Sequence, residues 1–150
     1  MADKLKLKLR AEDTEDLEVV SAVLQDALLP IGEMIFLPEE RRFVLVANRF
    51  CWECAARGET PGGSEGGFAR ILTGVTFDAV SGVKVRGFSP NDRDRILEVL
   101  AIVPEPGAIL IDFSGDESVR LEVDRILCHL EDIGEPWPTP WRPNHPLVEA

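Results

Sequence analysis

The chain has 150 residues, 45% hydrophobic and 29% charged, which is the balance of one ordinary globular domain spanning residues 1–150. Its net charge of -11, from 27 Asp and Glu against 16 Lys and Arg, argues against nucleic acid and anionic membrane as partners, since both are bound through clustered positive charge. No run approaches the roughly 18 apolar residues of a membrane helix, the N-terminal MADKLKLKLR lacks the apolar core of a secretory signal, and an odd count of 3 cysteines fits a reducing compartment. The expected location is the cytoplasm.

Leu5, Leu7 and Leu9 alternate with Lys and Arg, which predicts a short strand with one solvated face. Asp13 or Thr14 then caps a helix whose first turn carries Glu15, Asp16 and Glu18, where the helix dipole favours anions. Leu17, Val20, Leu24, Ala27 and Leu28 form its apolar face, and Pro30 with Gly32 ends it. From there the pattern is β. Residues 34–37 are a short apolar run, residues 38–40 a turn, and residues 42–50 a strand apolar on both faces. Residues 58–67, GETPGGSEGG, predict a flexible loop.

Residues 68–77 resume as a strand and turn into Val83 and Val85, and residues 87–95 are a polar loop. Two apolar runs, 96–103 and 108–113, are joined by a PEPG turn, and SGDE at 114–117 turns again. Residues 118–123 alternate as a strand. Val123, Ile126, Leu127, Leu130 and Ile133 then fall at helical spacing, with Gly134 at the position of a helix stop. Residues 135–150 form a Trp/Pro-rich strap, too stiff for a regular element, with Trp137 expected to dock more deeply than Trp141. The element order predicts an α+β fold. About seven mainly antiparallel strands would form a pleckstrin-homology-like barrel or roll, with an N-terminal helix and a C-terminal helix closing one end. An α+β sheet with both helices on one face is the alternative.

Motifs that would commit the chain to chemistry are weak. Cys51 and Cys54 form a C-x-x-C, but it follows a strand rather than opening a helix, so the dipole that would lower a thiol pKa is missing. Cys128 and His129 are neighbours on the expected helix and point apart, so they complete no tetrahedral zinc set. Gly58 and Gly63 have P-loop spacing, but Ser64 stands in place of the phosphate-binding Lys. No G-x-S-x-G elbow is present. No catalytic residue, cofactor or metal is therefore assigned.

What stands out is Arg and Trp. Arg41, Arg42, Asn48 and Arg49 punctuate the strand that ends at Phe50, Trp52 follows it, and Trp141, Arg142 and His145 lie on the strap. Arg and Trp dominate binding hot spots. They predict a non-enzymatic module that binds a protein or peptide and has the means to self-associate. The alternative is a small-molecule-binding protein or enzyme with a pocket between barrel and strap.

LPEERRFVLVANRFCWE at 37–53 and RLEVDRILCHLEDIGEPWPTPWRPNH at 120–145 resemble an uncharacterised family of small alphaproteobacterial proteins, a domain of unknown function. The resemblance extends over almost the whole chain and implies a cytoplasmic bacterial protein. It implies no activity.

Overall fold

The structure, a computed structural model, describes residues 6–53 and 69–138. Strand β1 (Lys8–Ala11) leads into helix α1 (Thr14–Leu24). Asp13 caps the helix from extended backbone, its Oδ1 accepting the Asp16 N–H at 2.8 Å, and Leu17, Val20 and Leu24 form the buried face. The helix stops one turn before the apolar spacing predicts. Asp26 adopts a φ of 68° and donates its N–H to the Val99 carbonyl at 2.8 Å, which pulls the chain out of the helix. Leu28 is accordingly a strand residue, in β2 (Leu28–Pro30).

A 3-10 turn over Ile31–Glu33 precedes β3 (Met34–Leu37) and β4 (Arg42–Phe50). Six more strands follow: β5 (Ala69–Phe77), β6 (Val80–Arg86), β7 (Ile96–Glu105), β8 (Ala108–Phe113), β9 (Glu117–Val123) and β10 (Cys128–Pro138). They pair antiparallel in the order β1-β10-β5-β4-β2-β7-β8-β9-β6, with β3 joined to β4 off this path. One edge of β4 is shared: its first half pairs with β3, and Asn48 pairs with Leu28 of β2. The strands between β3 and β9 follow the turn chemistry closely. Gly107 (φ 70°) and Gly115 (φ 82°) supply the left-handed residues of the β7–β8 and β8–β9 hairpins.

Burial alternates along the strands, as expected for a sheet with one face inward. Phe43, Leu45 and Ala47 of β4, Val75 and Phe77 of β5, and Cys128 and Leu130 of β10 form one row set. Val99 of β7, Ile109 and Ile111 of β8, and Val119 and Leu121 of β9 form the other, and all belong to a single apolar cluster that includes the buried face of α1. The two halves of the sheet therefore share one core.

The pleckstrin-homology-like barrel is overturned. The sheet is open and has ten strands rather than about seven among the described residues; α1 stands at its N-terminal side, Trp52 and Glu53 are helical after β4, and no helix follows β9 among the described residues. The expected closing helix is β10. Cys128, Leu130 and Asp132 are buried while His129, Glu131 and Ile133 are exposed, a period of two. Gly134 (φ 73°) sits in a register shift between Ile133 and Trp137 on β10 rather than at a helix end. Residues 135–138 of the expected strap continue this strand, with Trp137 paired to Arg70 and 37% exposed, so it does not dock as a buried ring. The rest of the strap and the 58–67 loop lie outside the described residues.

Ala79, in the turn between β5 and β6, has a φ of 60°, a conformation in which a Cβ crowds the following carbonyl. Ala79→Gly removes that crowding and is expected to stabilise the protein by ~0.5 kcal/mol after the extra chain entropy of glycine, raising Tm by about 2 °C. A Tm that falls in differential scanning calorimetry would show that the turn is unstrained.

Candidate functional site

The sequence-predicted residues fall into three groups. Arg41 and Arg42 sit at the β3–β4 turn, at the surface. Arg41 (φ 54°) pairs with Asp124 at 2.6 Å, and Arg42 pairs with Asp78 at 2.8 Å and Glu40 at 3.4 Å. Trp141, Arg142 and His145 lie outside the described residues. Arg49 belongs to the interior, and Trp52 is half-buried.

Arg49 occupies the inward row of β4 two places beyond Ala47, where the alternation delivers a guanidinium into the core. Its side chain is 0% exposed, and so is that of Asp132 on β10. Arg49 Nε donates to Asp132 Oδ1 at 2.9 Å and Nη2 to Oδ2 at 2.7 Å, a bidentate pair. Its Nη1 and Nη2 also donate to Glu53 at 2.9 and 2.8 Å, and Nη1 donates to the Phe50 carbonyl at 3.1 Å. Every N–H of the guanidinium is thereby engaged.

Asp132 is equally saturated. Thr73 Oγ1 of β5 donates to its Oδ1 at 2.7 Å, and the Leu7 backbone N–H donates to its Oδ2 at 2.7 Å. Thr73 is the register partner of both Ala47 on β4 and Asp132 on β10, so the sheet itself sets the network's spacing. Burial works to lower the Arg49 pKa, but the bonds to Asp132 and Glu53 outweigh it, and the pKa is raised above the ordinary value. Arg49 therefore remains a cation. Its donors all point to groups of the same chain, so none is presented to a partner.

Trp52 is half-buried, with its ring edge-on to Phe50 at 4.6 Å between centroids, and its buried Nε1 has no hydrogen-bond partner. Cys51 is fully buried and disulfide-bonded rather than a free thiol, and the chain is helical at Trp52 and Glu53 directly after it, so the motif does not run from the strand into a loop as expected; Cys54 lies outside the described residues. Cys128 is a free thiol on the inward face of β10, while His129 points outward, 3.8 Å from Asp78. No group of three or more metal-ligating side chains is assembled among the described residues.

A second feature was not legible beforehand. β3 pairs only with β4, and β6 pairs only with β9, so each leaves one edge unpaired among the described residues. An apolar cleft of about 320 Å³ is lined from both strands, by Met34 and Phe36 on one and Val83 and Val85 on the other. Phe43, Ile31 and Val119 also line it. At one end the strands are tied by the Val80 N–H to the Arg41 carbonyl at 2.9 Å. At the other, the 87–95 loop crosses from the end of β6 to the 3-10 turn. There Gly32 N–H donates to the Arg93 carbonyl and Ile31 N–H to the Arg95 carbonyl, both at 2.9 Å. Ile35 and Val85 are 54% and 38% exposed, so the cleft's lips face solvent. The sequence signal was there in weak form: β3 is a four-residue run apolar on both faces.

Two expectations follow from the buried network and the thiol. Arg49→Met strands a buried carboxylate and should cost about 3–5 kcal/mol in urea unfolding. Adding Asp132→Leu should recover part of that loss, because both charges then leave the core; additive losses would mean that the pair is not coupled. Burial, aided by the charge of Asp78, pushes the Cys128 thiol up to about 12. A raised pKa means the folded thiol keeps its proton after the unfolded one, near 9.0, has lost it. This stabilisation is complete below pH 9 and is lost as pH rises toward 12. Cys128→Ala should flatten the decline in unfolding free energy between pH 8.5 and 10.5, roughly the start of that window, and parallel curves for the two proteins would contradict the assignment.

No curated protein and no solved structure matches the chain. A family model described as a protein of unknown function, DUF2948, matches residues 7–145. That range takes in β1 through β10 and so the network and both walls of the cleft. The chain belongs to this family of unknown function.

Proposed function

We propose that the protein is a non-enzymatic interaction module that takes an extended peptide segment into the cleft between β3 and β6. The observation that carries this reading is the pair of strand edges, unpaired among the described residues, on an apolar cleft lined from both strands. An edge offers a row of backbone donors and acceptors, and an added strand satisfies them while its alternate side chains enter the cleft. Phe36, Phe43 and Val83 supply the apolar contact. Lys84 and Arg86 on β6 are charges of the kind that deter indiscriminate edge-to-edge pairing, which suits a selective edge.

The enzyme reading finds less support. The polar groups that converge inside the fold, Arg49, Asp132, Thr73 and Glu53, are bonded to one another. Among the described residues, the cleft is lined by one charged side chain, Arg93. No helix among the described residues is long and apolar enough to cross a membrane.

The test is affinity selection of random heptapeptides on the immobilised full chain, followed by amide hydrogen exchange with a selected peptide. Bound peptide should slow exchange in residues 34–37 and 80–86. Val85→Asp places a charge at the exposed lip of the cleft and should weaken binding by about tenfold or more. Protection that appears elsewhere, or binding indifferent to Val85→Asp, would defeat the proposal.

A further inference from the structure

The cleft has a chemical direction, because its two ends differ. The Leu37 end is apolar and tied shut by the Val80–Arg41 hydrogen bond. The Met34 end is crossed by the 87–95 loop and holds Arg93, the one charged residue lining the cleft among the described residues. Arg93 is exposed, and its Nη2 donates to the Gly32 carbonyl at 3.1 Å. It makes no ion pair among the described residues, although the surface is crowded with acids and Asp92 and Asp94 flank it in sequence. Nearly every other arginine at this side of the sheet is matched: Arg86 to Asp116, Arg95 to Glu117, Arg120 to Glu105. In a chain of net charge -11, an arginine that has no carboxylate partner among the described residues gives the apolar cleft beside it charge complementarity to an anion.

We infer that the cleft recognises the free C-terminal carboxylate of an extended peptide, held by Arg93. This rests on the strand-addition reading above and adds the end of the ligand that enters. A guanidinium has five N–H donors, and the Gly32 carbonyl occupies one of them, which leaves a fork able to take a carboxylate bidentately. The crossing loop explains why the anion is a chain end rather than a side chain. It is bonded across to residues 31 and 32, and Phe88 packs edge-on against Phe113 at 6.1 Å, so a strand running toward Arg93 meets packed chain and has to stop. β3 runs from Met34 toward Leu37, so a peptide ending at Arg93 runs antiparallel to β3 and parallel to β6. The four residues of β3 set the length of pairing, and upstream residues of the ligand leave through the solvent-facing lips at Ile35 and Val85. The overall negative charge of the protein opposes any anion at long range, but that repulsion is screened beyond about 8 Å at physiological salt, whereas contact at Arg93 is not.

The experiment uses three pools of random, N-terminally fluorescein-labelled pentapeptides. One has free C-terminal carboxylates, one is C-terminally amidated, and one is amidated with Asp as the last residue. Each is measured by fluorescence anisotropy against the full chain and against Arg93→Gln and Arg93→Glu, whose Tm values should match the parent because the side chain is exposed. The expected result is that the free-carboxylate pool binds at least about tenfold more tightly than either amidated pool. Arg93→Gln should erase that preference, and Arg93→Glu should reverse it. Equal binding of the free and amidated pools, unchanged in Arg93→Gln, would overturn the carboxylate inference and leave strand addition standing. Preference for the Asp-ended amide would overturn the chain-end assignment in favour of an acidic side chain. Failure of all three pools to bind would sink both readings together.

Discussion

The salt bridge between Arg49 and Asp132 is the interaction on which the sheet's arrangement rests. A guanidinium and a carboxylate with no exposure at all are costly to take out of water, by several kcal/mol each even after relaxation. That cost is offset only when both groups are fully bonded, which is why Thr73, Glu53 and the Leu7 amide matter as much as the pair itself. Such a network has no half-formed version of low energy. A one-residue slip of β10 against β5 would send Asp132 to the outer face and bring Glu131 or Ile133 inward, leaving Arg49 buried with Glu53 alone. The pair therefore selects one register out of those the apolar pattern would tolerate.

This interaction is also what hid β10 from a reading of the sequence. Along residues 128–132 the inward row is Cys, Leu and Asp, so an acidic residue stands where alternation calls for an apolar one. With Asp132 taken as surface, Val123, Ile126, Leu127, Leu130 and Ile133 fit a helical stripe, and Gly134 looks like its stop. Which acid is buried is decided by a partner 83 positions away, and no local pattern carries that information. The prolines misled in a similar way. Pro136 and Pro138 suggested a chain free of regular structure, yet both belong to the far end of β10, Pro136 within its register shift and Pro138 just beyond it.

Elsewhere local chemistry was enough. The Asp13 cap, the β3–β4 turn and the β7–β8 and β8–β9 hairpins involve residues close in sequence, and their turn residues declare them. The end of α1 is an exception that shows the rule: Ala27 and Leu28 continue the apolar stripe, but β7 captures the Asp26 amide and the strand prevails. The cleft was invisible for a different reason. An unpaired edge is a property of strand order, and the order puts β6 at the end of the path and β3 off it beside β4, while the shared core brings both to one opening. Arg and Trp, the residues that looked most like a binding surface, include an arginine spent entirely on internal bonding.

The hydrogen bonds between Leu7 and Asp132 join residues 125 positions apart. During synthesis Arg49 emerges from the ribosome long before its carboxylate partner does, at about 5–20 residues per second. For that interval the hairpins from β7 to β9 can assemble through near neighbours, while the half of the sheet holding β4 and β5 lacks its closing strand. Contacts this distant are slow to form because the loop they close is long. The nascent chain consequently passes through a stage in which a future core cation is still hydrated and the β5 edge is open, and β10, the last of the described strands to be made, is the one that seals both.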